Sequence, residues 1–205
     1  MPKRKNTATL NSKRAVMAFR EMVDCRREFC PDNQFFRAIE FWEWLAKDNE
    51  YTKIKTFLSE GSEKLKQASV VALEERVTLI ISDEMINAAR RGNGFVNTIL
   101  AHELSHFALG HHESTANLRN FQLGLNGDVR VVRPDSVEEL EADYASVFFL
   151  CGIALLEKDA DPVDLARRAF ADVSLVKKAI NICRVPAFLE ELDRQKRAVI
   201  GTVVL

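Results

Sequence analysis

The sequence predicts a mainly helical α+β fold with a small β-sheet beside one histidine-bearing helix. Three observations lead there. Apolar residues recur at helical spacing through most of the chain. A single short β-branched run, Arg76 to Ser82, is bounded by charge and reads as a strand. All four histidines fall between His102 and His112, inside one helical pattern. At 205 residues the chain suffices for one compact unit burying roughly 70% of its unfolded surface, without a disulfide or metal to staple it.

With 47% hydrophobic and 29% charged residues, and only 8 Gly and 5 Pro, collagenous and largely disordered chains are excluded. Basic residues number 29 against 30 acids, so no overall field marks a nucleic-acid or membrane-surface binder. Lys3, Arg4, Lys5, Lys13 and Arg14 read as a solvated lead-in. The apolar run Tyr144 to Leu156 is shorter than the ~20 residues a spanning helix needs, and reads as buried core. The polar and then amphipathic start does not read as a secretory leader, and the expected compartment is the cytoplasm. Cys25, Cys30, Cys151 and Cys183 form no C-x-x-C pair and read as structural thiols.

In chain order, Ala15, Val16, Phe19, Met22 and Val23 predict a first helix from Ser12 to Phe29, stopped by Pro31. Asp32 or Asn33 could cap a second helix through Lys47, whose Phe35, Phe36, Ile39, Trp42 and Leu45 form a core stripe. Gly61 and Ser62 mark a break. After the strand comes a short helix from Asp83 to Arg91, ended by Gly92-Asn93-Gly94, and a new helix starts near Phe95. Residues 113 to 137 are polar around a possible strand, Val129 to Arg133. A long helix then runs from Val137 to about Glu157, and a last helical region, Pro162 to Leu192, breaks at Pro186.

The chemistry lies in His102-Glu103-Leu104-Ser105-His106, an H-E-x-x-H pattern on a helix. At 100° per residue His106 sits about 40° from His102 and one turn along, so both imidazoles reach one cation, while Glu103 occupies the adjoining flank. Leu100, Leu104 and Phe107 fall on the opposite, buried side. A third ligand from a later helix is expected, with the fourth position left for water. Around the helix that begins at Val137, Leu140, Tyr144, Val147 and Cys151 form the buried seam. Glu138 points away, and Glu139 and Glu141 flank the seam on opposite shoulders. Asp143 lies one turn from Glu139 on its shoulder, so Glu139 could bind the metal while Asp143 accepts the outer N–H of a ligating histidine. His111 and His112 are open between stabilising an oxyanion, supporting a ligand, and satisfying carbonyls at the helix C-terminus. Tyr144 belongs to the core seam.

These residues carry a resemblance. His102-Glu103-Leu104-Ser105-His106 followed by Phe107-Ala108-Leu109-Gly110-His111, then Glu139-Leu140-Glu141-Ala142-Asp143-Tyr144-Ala145, resembles the ImmA/IrrE family of metallopeptidases over roughly residues 70 to 160. Ser105 stands where the family has Gly. The resemblance implies a zincin-like core, with residues 1–65 as an N-terminal helical region packed on a metallopeptidase domain of residues 66–205. It further implies a zinc-dependent cytoplasmic endopeptidase that cuts a protein regulator, such as a helix-turn-helix repressor or antitoxin. Zinc would sit on His102, His106 and Glu139, with Glu103 as the general base. The strand Val77 to Ile81 would be the sheet edge that takes an extended substrate. Two other classes stay in view. One is a metal-stabilised interaction module without protease activity. The other is a DNA-binding module built on Leu165 to Ser174, whose Asp164 and Asp172 dilute its basic charge.

Overall fold

Asn11 caps the first helix by accepting from the Arg14 backbone N–H at 2.9 Å, and α1 runs Ser12–Arg27. Its buried face is the expected one, Ala15, Val16, Phe19, Met22 and Val23, extended by a fully buried Arg26. The computed structural model describes residues 10–48, 50–57, 68–73, 76–111 and 136–203. Lys3 to Lys5, the break at Gly61 and Ser62, the candidate strand 129–133 and His112 lie outside them.

The remaining elements are α2 (Ala38–Asp48), β1 (Thr52–Phe57), β2 (Ala68–Leu73), β3 (Arg76–Ser82), α3 (Asp83–Arg90), α4 (Gly94–Ala108), α5 (Val137–Cys151), α6 (Pro162–Arg168), α7 (Val173–Cys183) and α8 (Pro186–Val203). The chain is therefore α+β and mainly helical. Among the described residues its sheet has three strands in the order β1-β3-β2, with β1 parallel and β2 antiparallel to β3. This corrects one expectation. The strand at Val77 to Ile81 is central, with its backbone groups paired on both sides, so it offers no edge. Among the described strands the edges are β1 and β2, and β2 is the strand beside α4. β1 comes from the stretch read as helical, and it joins that stretch to the rest of the chain through one sheet.

Helix α2 begins later than expected. Neither Asp32 nor Asn33 caps it, because residues 32–34 are held in place by Arg26. The Arg26 guanidinium donates to the carbonyls of Gln34 (2.8 Å) and Asp32 (3.5 Å), and its Nε donates to that of Phe149 (3.0 Å). The Asp32 carboxylate is taken by Arg27, and the Glu40 carboxylate accepts from the Arg37 backbone N–H at 2.8 Å just before α2. Phe29, Phe36, Phe41, Trp44 and Phe149 then pack around each other, mostly edge-to-face. Trp42, fully buried, donates its indole N–H to the Leu100 carbonyl of α4 at 3.1 Å, tying α2 to the histidine-bearing helix.

The same arginine ends α5 earlier than the sequence suggests, at Cys151 rather than near Glu157. Gly152 adopts φ +57° and ψ −144°, a conformation that an L side chain resists. A Cβ there would come within 2.5 Å of an Arg26 nitrogen. Residues Gly152–Leu156 continue as a 3₁₀ turn. The last helical region breaks twice, before α7 as well as at Pro186. In the first break Asp172 caps α7 and donates its own N–H to Thr98 Oγ of α4 at 2.8 Å, so the Leu165 to Ser174 segment is docked on the start of α4. The core lies where α4 and α5 meet, with α1 across α5 and α8 beyond α1. Among the described residues no helix is long and apolar enough to cross a membrane.

Candidate metal centre

Asn93 accepts from the Val96 N–H and starts α4 just after the Gly92-Asn93 break. From Val96 to His106 every residue of this helix is buried, so it is a central element rather than one with an exposed face. Phe107, expected on the buried side, is 45% exposed, because the helix emerges from the core in its last turn. Ser105 fits without strain: it is fully buried, and its hydroxyl donates to the Ala101 carbonyl at 2.7 Å.

Ser136 caps α5 by accepting from the Glu139 N–H at 3.1 Å, which sets Glu139 in the first turn, facing α4. There the structure brings His102, His106 and Glu139 together, with one ligand atom from each within 4.8 Å of the others. His102 Nε2 and His106 Nε2 are 3.0 Å apart, and they lie 3.4 and 3.7 Å from the Glu139 carboxylate oxygens. Ligands about 2.1 Å from one tetrahedral ion stand roughly 3.4 Å apart, so the spacing fits a single cation. The outer nitrogens point elsewhere. His102 Nδ1 is 3.0 Å from Asp143 Oδ1, the position expected for an orienting carboxylate. His106 Nδ1 meets His111 Nδ1 at 2.9 Å. With both Nδ1 atoms engaged from outside the cluster, the two Nε2 atoms and the Glu139 carboxylate face one another, and this donor set suits a divalent cation. Glu103 is 2% exposed and close enough to His102 to act on its charge. The cluster opens to solvent on the Glu139 side, where that side chain is 26% exposed.

Of the two trailing histidines, His111 lies against His106, and its Nε2 is 3.2 Å from Glu141. Glu141 was not singled out by the sequence as more than a flank. It is buried and forms a two-pronged pair with Arg14 of α1, at 3.2 and 2.5 Å. Arg14 is the residue that sequence reasoning missed, since nothing local links it to position 141. Tyr144 is half-buried and stacked on Phe148, as a core residue.

The electrostatics follow from burial and pairing. Burial opposes charge on His102, but hydrogen bonds to Asp143 and Glu139 outweigh it and raise the imidazole from 6.5 to about 9. Hydrogen bonds to His102 and His106 hold Glu139 far below the usual carboxylate range. Burial pushes Glu141 up, and the hydrogen bonds from His111 and Arg14 more than reverse it. The raised His102 value sets a pH window. Stability from the protonated pair is fully present below the unfolded value of 6.5 and is lost as pH rises through about 9. Urea midpoints of chelator-treated protein should therefore fall across that window. One equivalent of zinc, competing with the proton for Nε2, should flatten the slope; an equally steep slope with zinc would refute this account.

No protein-family model, curated protein or solved structure matches the chain.

Proposed function

We propose that this chain is a zinc-dependent endopeptidase of the ImmA/IrrE kind, acting in the cytoplasm on a protein regulator such as a helix-turn-helix repressor or antitoxin. α4 and α5 form its zincin-like core. The observation that carries the reading is the convergence of His102 Nε2, His106 Nε2 and the Glu139 carboxylate beside a buried Glu103. A borderline-soft ion with two imidazoles and one carboxylate suits zinc, which when bound there supplies Lewis-acid activation of water and of a peptide carbonyl. His102 and His106 present Nε2, and Asp143 fixes the His102 ring by accepting from Nδ1. Glu103 accepts the proton of the attacking water at its carboxylate and returns it to the leaving amine. An extended substrate segment would lie along the outer edge of β2, the edge strand beside α4, and be held by main-chain hydrogen bonds. The docking of the 165–174 segment on α4 supports a structural role for it rather than a DNA-reading one.

The test couples metal analysis to cleavage. Purified protein should carry about one zinc per chain. It should cut a helix-turn-helix regulator or antitoxin encoded beside it to discrete products, and chelation should stop the cutting. One tightly held zinc with no cleavage of any such partner would favour the interaction module. Absence of any bound divalent ion would end both readings.

A further inference from the structure

The second turn of metal-site contacts is asymmetric. His102 is held by a carboxylate directly, whereas His106 is held by another imidazole, with a carboxylate and an arginine behind it. Resting on the metal-site reading above, we infer that Glu141 and Arg14 are positioning residues for the metal centre, acting through His111 on the ring of His106. Helix α1 is thereby part of the site.

The backbone builds this contact first. α4 ends in a Schellman turn: Gly110, at φ +69°, donates its N–H to the Phe107 carbonyl, and His111 donates its N–H to the His106 carbonyl at 2.9 Å. That turn places the side chains of His106 and His111 against each other, where such turns frequently have an apolar contact. Here two imidazoles meet instead, and one of the facing Nδ1 atoms must donate while the other accepts. Use of His106 Nε2 as a metal ligand puts the proton of that ring on Nδ1. His111 Nδ1 is then the acceptor, and the His111 proton sits on Nε2, which faces Glu141 at 3.2 Å. Every donor in the series faces an acceptor, and Arg14 closes it by neutralising Glu141 with two hydrogen bonds. The His111 and Glu141 side chains are 6% and 7% exposed, so the intermediate links are shielded, while Arg14 reaches the surface at 42% beside a cleft of about 560 Å³. An ion pair that only pinned α1 to α5 would not need a histidine at 111, nor its Nε2 turned to the carboxylate.

The experiment compares wild type with Glu141→Gln, Arg14→Ala and, on the same helix, Arg20→Ala, whose side chain touches Gln195 instead. Zinc affinity is measured by competition with a chromophoric chelator. The ring-nitrogen shifts of His106 and His111 are recorded by NMR on chelator-treated protein, where no metal fixes the His106 tautomer. Glu141→Gln should lose about 10- to 100-fold in zinc affinity, the range for residues that orient a ligand from outside. His111 in that variant should pass from a single Nε2–H tautomer to a mixture. Arg14→Ala should weaken zinc in the same direction, and Arg20→Ala should leave it unchanged. Because Arg14 is part-exposed, its variant keeps the test decisive even if Glu141→Gln folds poorly in a thermal melt. Affinity within twofold of wild type in Arg14→Ala, or an unaltered His111 tautomer in folded Glu141→Gln, overturns the inference while leaving zinc binding standing. A wild type that binds no zinc overturns the metal reading itself.

Discussion

Glu103→Gln should bind zinc as wild type does, melt within a few degrees of it, and cleave the regulator about 10²- to 10⁴-fold more slowly, the range a positioned general base contributes. The side chain is 2% exposed on a helix with no free face, so an isosteric amide is the substitution least able to disturb packing. An amide oxygen still accepts a hydrogen bond from water, but it cannot take the proton to the leaving nitrogen. Substrate binding should therefore persist, and the loss should appear in turnover rather than in KM. Wild-type cleavage by this variant would refute the proposed chemistry, whereas loss of zinc together with activity would assign Glu103 a structural task.

The second large effect is expected far from that centre. Arg26→Met should cost about 3–5 kcal/mol, the range for removing one partner of a buried charged network. Methionine fills a similar volume, so the loss is mainly of hydrogen bonds and not of packing. Three carbonyls, those of Phe149, Gln34 and Asp32, lose their donor together, and the first lies in the last turn of α5, where no intrahelical partner replaces it. The guanidinium also sits 5.5 Å from the Phe36 ring centroid and against Gly152. Burial, with a smaller push from the Arg27 charge, lowers the pKa of Arg26, and the hydrogen-bond partners are what make the buried charge tolerable. At about 2–4 °C per kcal/mol for a chain of this size, the melting temperature should drop by roughly 6–20 °C. A loss below about 1 kcal/mol in urea titrations would show that the carbonyls find other donors.

These two residues mark what the sequence made visible. Local signals were sufficient for the cluster: the i, i+4 histidines converge with Glu139, Asp143 one turn on lies against His102, and the β-branched run forms β3. Long-range partnerships were not visible. A lone arginine at the end of an amphipathic helix gives no sign that it will organise the starts and ends of two other helices. For the same reason Arg14 and Glu141, 127 positions apart, could be joined only by the fold. Strand β1 was missed although Lys53 and Lys55 alternate with Thr52, Ile54 and Thr56, because the stretch is short and mostly exposed and its pairing depends on a distant strand. β3 was identified as a strand but placed at the edge, since burial on both sides and a single apolar run look alike in sequence.

Burial of α4 on nearly all sides has a consequence for genetics. In a random library scored for loss of activity, substitutions between positions 96 and 106 should dominate, and most will be depleted for low abundance rather than for impaired chemistry. Only when steady-state protein level is scored in parallel will His102, Glu103 and His106 stand apart from neighbours such as Leu100 and Leu104, whose loss empties the cell of the protein altogether.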